Sequence, residues 1–309
     1  MNCFICKSKV SDTGIECFDT RFGIPGLYSL LKCPQCKIVF LTNPPSFECM
    51  KSIYNEYYNF NLSKSILDKA YNKIRTIVFN SFLYKIWHRI DGDVSFYFTK
   101  GHGRLLDVGC NEGRCLEMYV KNGFDAYGIE INQKAYSLAK AKGLKVYNQA
   151  FEDYHATKPY DVIILSNVIE HTYDPITTIA HARSLLNENG RLLISCPNYD
   201  SVFRILFRSF WINWHVPFHL FHFNSDSISF LLKSCGFNKI SIKNISPALW
   251  IASSIIVLIF GKYKKPTLQL RQLMIIFPLV IIIRFLLFPF LIIVNMFKKG
   301  DCLLITATK

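Results

Sequence analysis

The chain has 309 residues, 50% of them hydrophobic, and a formal net charge of +14, which bounds it to one large domain or two. Its basic balance points to nucleic acid or an anionic membrane surface, and the crowding of apolar residues at the C-terminal end, with basic residues spread throughout, favours the membrane. Eleven cysteines behind an N-terminus with no positive, then apolar, leader argue against a secreted disulfide framework and for reduced thiols in the cytosol. In chain order, Cys3-x-x-Cys6 and Cys33-x-x-Cys36 come first. Two such knuckles supply four thiolates for a tetrahedral zinc site of the ribbon type, expected over residues 1–47. Four cysteines leave no open coordination position, so this zinc is read as structural. Asn43-Pro-Pro-Ser-Phe47 then reads as a turn made by two prolines. Residues 48–100 form a helical connector: Ile66, Ala70, Ile74, Ile77, Val78 and Phe82 recur at three- and four-residue spacing. Tyr54, Tyr57, Tyr58 and Phe60 precede them, as core packing or as the wall of a pocket.

From 104 to 196, strands expected near 104–109, 125–130, 144–148, 160–166 and 190–196 alternate with helices near 113–122, 132–142 and 173–187. That alternation predicts a parallel sheet covered on both faces, with Gly143 and Gly190 each ending a helix. Leu105 to Val108 enter a tight turn, Gly109-Cys110-Asn111-Glu112-Gly113, that opens a helix. Such a turn is expected to present backbone N–H groups where a ligand can approach closely. Glu130, at the tip of the second strand, is placed to accept both hydroxyls of an adenosine ribose.

The spacing Asp107-x-Gly109-x-x-x-Gly113 lacks the third glycine of a dinucleotide fingerprint. It resembles motif I of class I S-adenosylmethionine (SAM) methyltransferases. Asn111 stands where that family commonly has glycine, a mild departure because asparagine tolerates positive φ. The resemblance implies that the turn holds the methionine part of SAM, that Glu130 holds the ribose, and that the loop from Asn148 to Glu152 packs the adenine, with Glu152 or a backbone amide near its exocyclic amine. Val168-Ile-Glu170-His171-x-x-Asp174-Pro175 resembles the fourth-strand region of ubiquinone-pathway and small-molecule methyltransferases. There Asn167 neighbours the methionine end of the cofactor and His171 faces the mouth of the site.

His215, His219 and His222 follow within eight residues. No acid accompanies them in sequence, and their spacing implies a helix in a segment that contains Pro217, which speaks against a second metal. The run Pro217-x-His219-Leu-x-x-Phe223, with a helix over 226–235, resembles the segment that closes over the substrate in the same subfamily. His171, His219 and His222 are therefore the candidate general bases.

A sixth strand over 239–243 and an antiparallel seventh over 301–308 complete the expected sheet. Between them lies an apolar insertion, 247–299, with runs at 249–260 and 273–297 broken by Pro278, Arg284 and Pro289. One membrane crossing would strand the seventh strand, and two would place Lys262, Lys264, Lys265 and Arg271 on the wrong side. An in-plane or re-entrant hairpin, anchored by those cations and by Lys298-Lys299, satisfies both constraints. The expectation is an α/β fold: a Rossmann-like seven-stranded methyltransferase sheet over 101–246 and 300–309, with an N-terminal zinc ribbon and a membrane-associating insertion. The resemblance implies SAM-dependent transfer to a small molecule, a sugar or lipid-linked glycan precursor first and a lipid or quinone second, on the cytosolic face of a membrane. RNA methylation or a non-catalytic nucleic-acid-binding module is the alternative, disfavoured because the ribbon has no basic stripe with interleaved aromatics. Oligomeric state is left open.

Overall fold

The computed structural model describes residues 1–57 and 81–309; the helical repeat expected between Ile66 and Val78, with Tyr58 and Phe60, lies outside the described residues. The first strands are β1 (Ser11–Cys17), β2 (Tyr28–Lys32) and β3 (Val39–Leu41), followed by helices α1 (Phe47–Tyr57) and α2 (Phe82–Asp91). The alternating region contributes β4 (Arg104–Val108), α3 (Arg114–Lys121), β5 (Asp125–Ile129), α4 (Gln133–Ala141), β6 (Lys145–Tyr147), β7 (Tyr160–Ser166), α5 (Pro175–Leu185) and β8 (Leu186–Pro197). After these come α6 (Val202–Phe207), β9 (Phe221–His222), α7 (Ser225–Ser234), β10 (Lys239–Ile245), α8 (Ala248–Phe260), α9 (Leu273–Leu286), α10 (Phe288–Met296) and β11 (Cys302–Thr308).

Seven strands form one sheet in the order β10-β11-β8-β7-β4-β5-β6. Pairs among β4 to β8 are parallel, and β11 inserts antiparallel between β8 and β10. The two central strands are continuous apolar runs, Leu105-Leu106 and Val162 to Leu165, all buried, as strands covered on both faces must be. Polar caps set where the covering helices start. Asn132 accepts from the N–H groups of Lys134 and Ala135, Asp174 from those of Ile176 and Thr177, and Asn224 forms a capping box with Ser227.

One expectation fails locally, and the histidine segment lacks the helix that its spacing alone would need. Gly190 does not end a helix: α5 stops at Leu185, and β8 already pairs at Leu186 with Tyr160 before its register shifts to Arg191 opposite Val162. The extra residues bulge there, and Gly190 accepts from the N–H of Lys309 at 3.0 Å. Nor is the histidine segment helical. A single 3-10 turn (Ile212–Trp214) precedes it, Val216–Pro217 is cis, and the chain then extends into β9. Pro217 has no N–H to give a helix, and strand pairing claims the residues after it.

That pairing joins the N-terminal region to the rest. The four-stranded sheet is ordered β1-β2-β3-β9, with Val39 opposite His222, Phe40 opposite Phe221, and the Leu41 N–H bonded to the Leu220 carbonyl at 3.0 Å. The insertion leaves the large sheet after β10 and returns at β11. Its helix α8 buries Ile251, Ala252, Ile256 and Val257, whereas α9 and α10 meet at a bend of 71°. Among the described residues no single helix is long and apolar enough to cross a membrane.

Candidate active site

Residues of the β4–α3 turn are left-handed at Gly109 (φ +73°), Asn111 (φ 52°) and Gly113 (φ +76°). A Cβ on Gly113 would lie 2.3 Å from Leu144 Cδ1 and 3.2 Å from Ala139 Cβ, so glycine lets α3 settle on α4. The turn's N–H groups are not bare, contrary to expectation. Gly109 and Cys110 both donate to the Ile129 carbonyl, Asn111 to Glu130 Oε2 at 2.8 Å, Glu112 to the Asn111 side chain at 2.7 Å, and Gly113 to the Cys110 carbonyl. The turn therefore offers close approach rather than a cradle of donors, which suits an amino-acid moiety better than a phosphate.

Glu130 is held at the end of β5 by the Asn111 N–H and by the Asn132 N–H at 2.7 Å. Asn148 clamps the same position from the next loop, donating Nδ2–H to the Glu130 carbonyl at 2.7 Å. Each carboxylate oxygen keeps further lone-pair capacity, enough for a vicinal diol. Burial pushes its pKa above the usual carboxylate range, and the backbone donors oppose that. Asp107 lies beside it, 4% exposed. Burial, and then the Glu130 charge, push Asp107 up to about 8. Two buried acids side by side favour a cationic ligand that also carries hydroxyls. SAM has that chemistry, and the residues present fit it.

The remaining expected contacts sit on the same rim. Asn167 takes φ 52° directly after β7 and donates its N–H to the Ser195 carbonyl at 2.9 Å. Ser166 ties that end of β7 to the Val94 carbonyl at 3.1 Å. Glu152 is exposed and accepts from Thr178 Oγ1 at 3.3 Å, which turns its carboxylate towards α5.

The histidines gather into one cluster. His171 Nδ1 lies 3.0 Å from the Phe218 carbonyl and 3.0 Å from Tyr54 Oη. A carbonyl only accepts, so Nδ1 carries the proton and Nε2 keeps its lone pair. By the same reasoning His219 Nδ1 donates to the Asn213 carbonyl at 2.9 Å, and His219 Nε2 accepts from His215 Nδ1 at 3.3 Å. Neither ring nitrogen of His222 has a hydrogen-bond partner among the described residues; its ring packs edge-on against Trp214 at 5.0 Å. Burial pushes His171 down to about 4 and His222 to about 3, and holds His215 and His219 far below the usual imidazole range. All four are neutral near pH 7.

Sequence spacing offers His215, His219 and His222 no acid, but the fold brings Glu170, the neighbour of His171, to them from the short turn after β7. Glu170, His171 and His219 each place one ligand atom within 4.8 Å of the others. Both Glu170 carboxyl oxygens are buried without a partner among the described residues, and burial pushes the group up to about 8. Tyr54 was legible only as one of several aromatics; nothing in its spacing marked it as a partner for His171. In the ribbon, the Sγ atoms of Cys3 and Cys36 are 3.5 Å apart and those of Cys6 and Cys33 are 3.3 Å apart, with all four within 4.8 Å. A tetrahedron with metal–sulfur bonds of about 2.3 Å has edges of about 3.8 Å, so this set can hold zinc. A separate shallow cleft, lined by Gly101, His102, Asp161, Glu188 and Arg191, opens at the opposite ends of the strands and contains none of these residues.

A family model described as a methyltransferase domain matches residues 82–242. Similar curated proteins include the ubiquinone biosynthesis O-methyltransferases of Aliivibrio fischeri, 27% identical over 103 residues (31% of this chain, 44% of that protein), and Xylella fastidiosa, 32% identical over 103 residues (31% and 42%). The matched stretch thus spans less than half the length of these relatives. Among solved structures, the chain is similar to a SAM-dependent methyltransferase from Archaeoglobus fulgidus (17% identity, 74% of this chain, 100% of that one, TM-score 0.45). It is also similar to the 1,6-didemethyltoxoflavin-N1-methyltransferase of Burkholderia thailandensis with bound 1,6-didemethyltoxoflavin and S-adenosylhomocysteine (13%, 92%, 95%, 0.47).

Proposed function

This chain belongs to the class I SAM-dependent methyltransferase family, and from that premise we propose that it transfers the SAM methyl group to an oxygen or carbon nucleophile of a small-molecule acceptor. The observation that carries the reading is the left-handed turn from Gly109 to Gly113, closed onto Glu130 and backed by buried Asp107. SAM supplies an electrophilic methyl on a positively charged sulfur. The chain's contribution is position: Gly109 and Gly113 give the methionine part room, Asp107 faces its positive charge, Glu130 orients the ribose, and the Asn148–Glu152 loop flanks the adenine. Holding both reactants in line supplies most of the acceleration.

Among the histidines, His171 is the best proton acceptor, because its Nε2 lone pair is not needed to hold the ring in place. His219 spends both nitrogens on its neighbours, and His222 packs against Trp214, so these two shape the segment that covers the acceptor. A depressed basicity does not disqualify His171. The oxygen that has just gained a methyl is far more acidic than an imidazolium, so a neutral ring near about 4 still takes its proton.

The acceptor we favour is a sugar borne on a nucleotide or lipid carrier; a quinone-like ring is second, supported by the names of the curated relatives. The ribbon cysteines are proposed to hold a structural zinc. Incubating the protein with methyl-labelled SAM and a fractionated cell extract tests the reading. Label entering the nucleotide-sugar or lipid fraction supports it, and label entering RNA alone, or no fraction, overturns it.

A further inference from the structure

The composition of the insertion points to membrane contact, but its helices do not behave alike. Helix α8 is largely buried, whereas Phe285 and Leu286 of α9 are 72% and 75% exposed, and Met296 with Phe297 at the end of α10 are 75% and 74% exposed. Far away in sequence, α2 exposes Phe82, Ile86 and Ile90, four residues apart each time and therefore one stripe along its length. The structure brings these together. Arg284, buried next to the exposed Phe285, lies 3.7 Å from Asp91 and also donates to the Ile90 carbonyl. The C-terminal end of α2, where its stripe finishes at Ile90, is thus tied to α9 next to the exposed Phe285. On the other flank, Phe203 of α6 meets Phe290 of α10 at 6.3 Å, edge to face, beside the exposed Ile205 and Leu206.

We propose that α2, α6, α9 and α10 form one monotopic docking face for an anionic lipid bilayer, set on the same rim of the sheet as the acceptor site.

Size is the first argument. Large aromatic and aliphatic side chains expose on the order of 100 Å² each when mostly uncovered, so these residues pass the few hundred Å² that soluble monomers leave open. Charge is the second, and it selects the occupant. Residues 247–299 contain no Asp or Glu, while Lys262, Lys264, Lys265, Arg271, Lys298 and Lys299 flank the apolar helices. A second copy of the chain would meet this face with the same positive charge, whereas phosphate headgroups complement it. Geometry is the third. Both ends of the insertion are pinned to the sheet, through Ile245 opposite Cys302 and Cys302 opposite Pro197, and the helix pair bends by 71°. The apolar residues therefore lie along a surface instead of passing through it.

Placement adds a consequence. Pro197 is the carboxyl end of β8, so the insertion leaves the sheet at the rim that carries Gly109, Glu130 and Asn167. On the other side, the chain after α2 reaches that rim where the Val94 carbonyl accepts from Ser166 at the end of β7. The docking face borders the mouth of the site, and the acceptor it serves is membrane-borne, with a polar head and an apolar tail. That second statement rests on the methyl-transfer reading; the docking does not.

The test is vesicle flotation of the full chain, using phosphatidylcholine alone and phosphatidylcholine with phosphatidylglycerol. We expect at least tenfold more protein with the anionic vesicles. Two double variants, Phe82→Ser with Ile86→Ser and Phe285→Ser with Leu286→Ser, should each lower that binding about tenfold or more. SAM affinity, measured on the same samples, should stay within about threefold of wild type, showing that the variants are folded. Flotation of the α2 variant at the wild-type level would overturn the composite face. A concentration-dependent dimer dispersed by both variants, without wild-type flotation, would assign the face to a second copy instead. If wild type floats but binds no SAM, the docking stands and the methyl-transfer reading falls.

Discussion

Replacing Glu130 with alanine separates the ribose contact from everything else the turn does. In the free protein the carboxylate accepts the N–H groups of Asn111 and Asn132 at 2.8 and 2.7 Å. Removing it leaves two backbone donors without their acceptor, a stability loss of about 1–3 kcal/mol. The cofactor loses more. Two ribose hydroxyls bonded to one charged acceptor are worth about 1.5–3 kcal/mol each, and with the usual overlap between neighbouring contacts the combined loss is about 3–4 kcal/mol. That corresponds to roughly a 10²- to 10³-fold rise in Kd. Glu130→Gln should rescue little, because its amide presents N–H groups to one of the two backbone donors. Calorimetric titration with SAM, paired with thermal unfolding to confirm a folded variant, reads the effect directly. A folded Glu130→Ala protein that binds SAM within about threefold of wild type would refute the assignment.

Three further outcomes follow from the site. Asp107, pushed up to about 8, is protonated at neutral pH in the free protein, and the positive charges of SAM favour its carboxylate. Binding at pH 7 should therefore release close to one proton, and affinity should rise with pH, at most about tenfold per unit, until it levels near 8; titration in buffers of different ionisation enthalpy measures this, and Asp107→Asn should abolish it. His171→Ala should lower kcat by about 10²-fold or more with SAM affinity unchanged, while Tyr54→Phe, which leaves the Phe218 carbonyl to hold the ring, should cost only a few-fold; equal losses would move the proton transfer elsewhere. Chelating the zinc proposed for the ribbon should depress methyl transfer strongly while SAM affinity stays within about threefold, because β3 carries β9 and the cofactor residues lie on another sheet; parallel loss of both would show that the ribbon supports the whole fold.

How much of this was legible in the sequence depends on how local each feature is. Asp107, Gly109 and Gly113 share one strand-to-helix turn and Glu130 ends the next strand of the same β-α-β unit, so spacing alone predicts their meeting, and the strands from 104 to 166 follow from hydrophobic runs and caps. The failures need long-range knowledge. Gly190 looks like a helix end until one sees that β8 bulges against β7. The histidine spacing of four and three looks helical until β3 claims the chain at Phe221. Glu170 seems unconnected to His219 because the residues between them form α5, β8, α6 and the approach to β9. The turn's bonded N–H groups are a subtler case: their acceptors, the Ile129 carbonyl and Glu130, belong to the neighbouring strand's end.

The same long-range pairing shows what the cysteine ribbon does for the rest of this chain. The segment from His215 to Phe223 is not a free flap. It is strand-paired to β3 and packed through Phe218 on Phe22 at 5.6 Å and on Tyr54 at 4.9 Å, and the residues just before it are tied to the start of β11 by Asp301, which accepts from Trp211 Nε1 at 2.8 Å and Asn213 Nδ2 at 3.0 Å. Exposed Lys37–Asp226, at 2.6 Å, adds little to that anchorage because solvent screens it. A cover fixed at both ends on buried contacts cannot swing aside cheaply, since opening it would strip strand hydrogen bonds and the Asp301 network together. The acceptor must then enter from the side the cover does not close. We place that side between α2 and the insertion, at the proposed docking face, so a rigid cover and a membrane-facing mouth are two consequences of one arrangement.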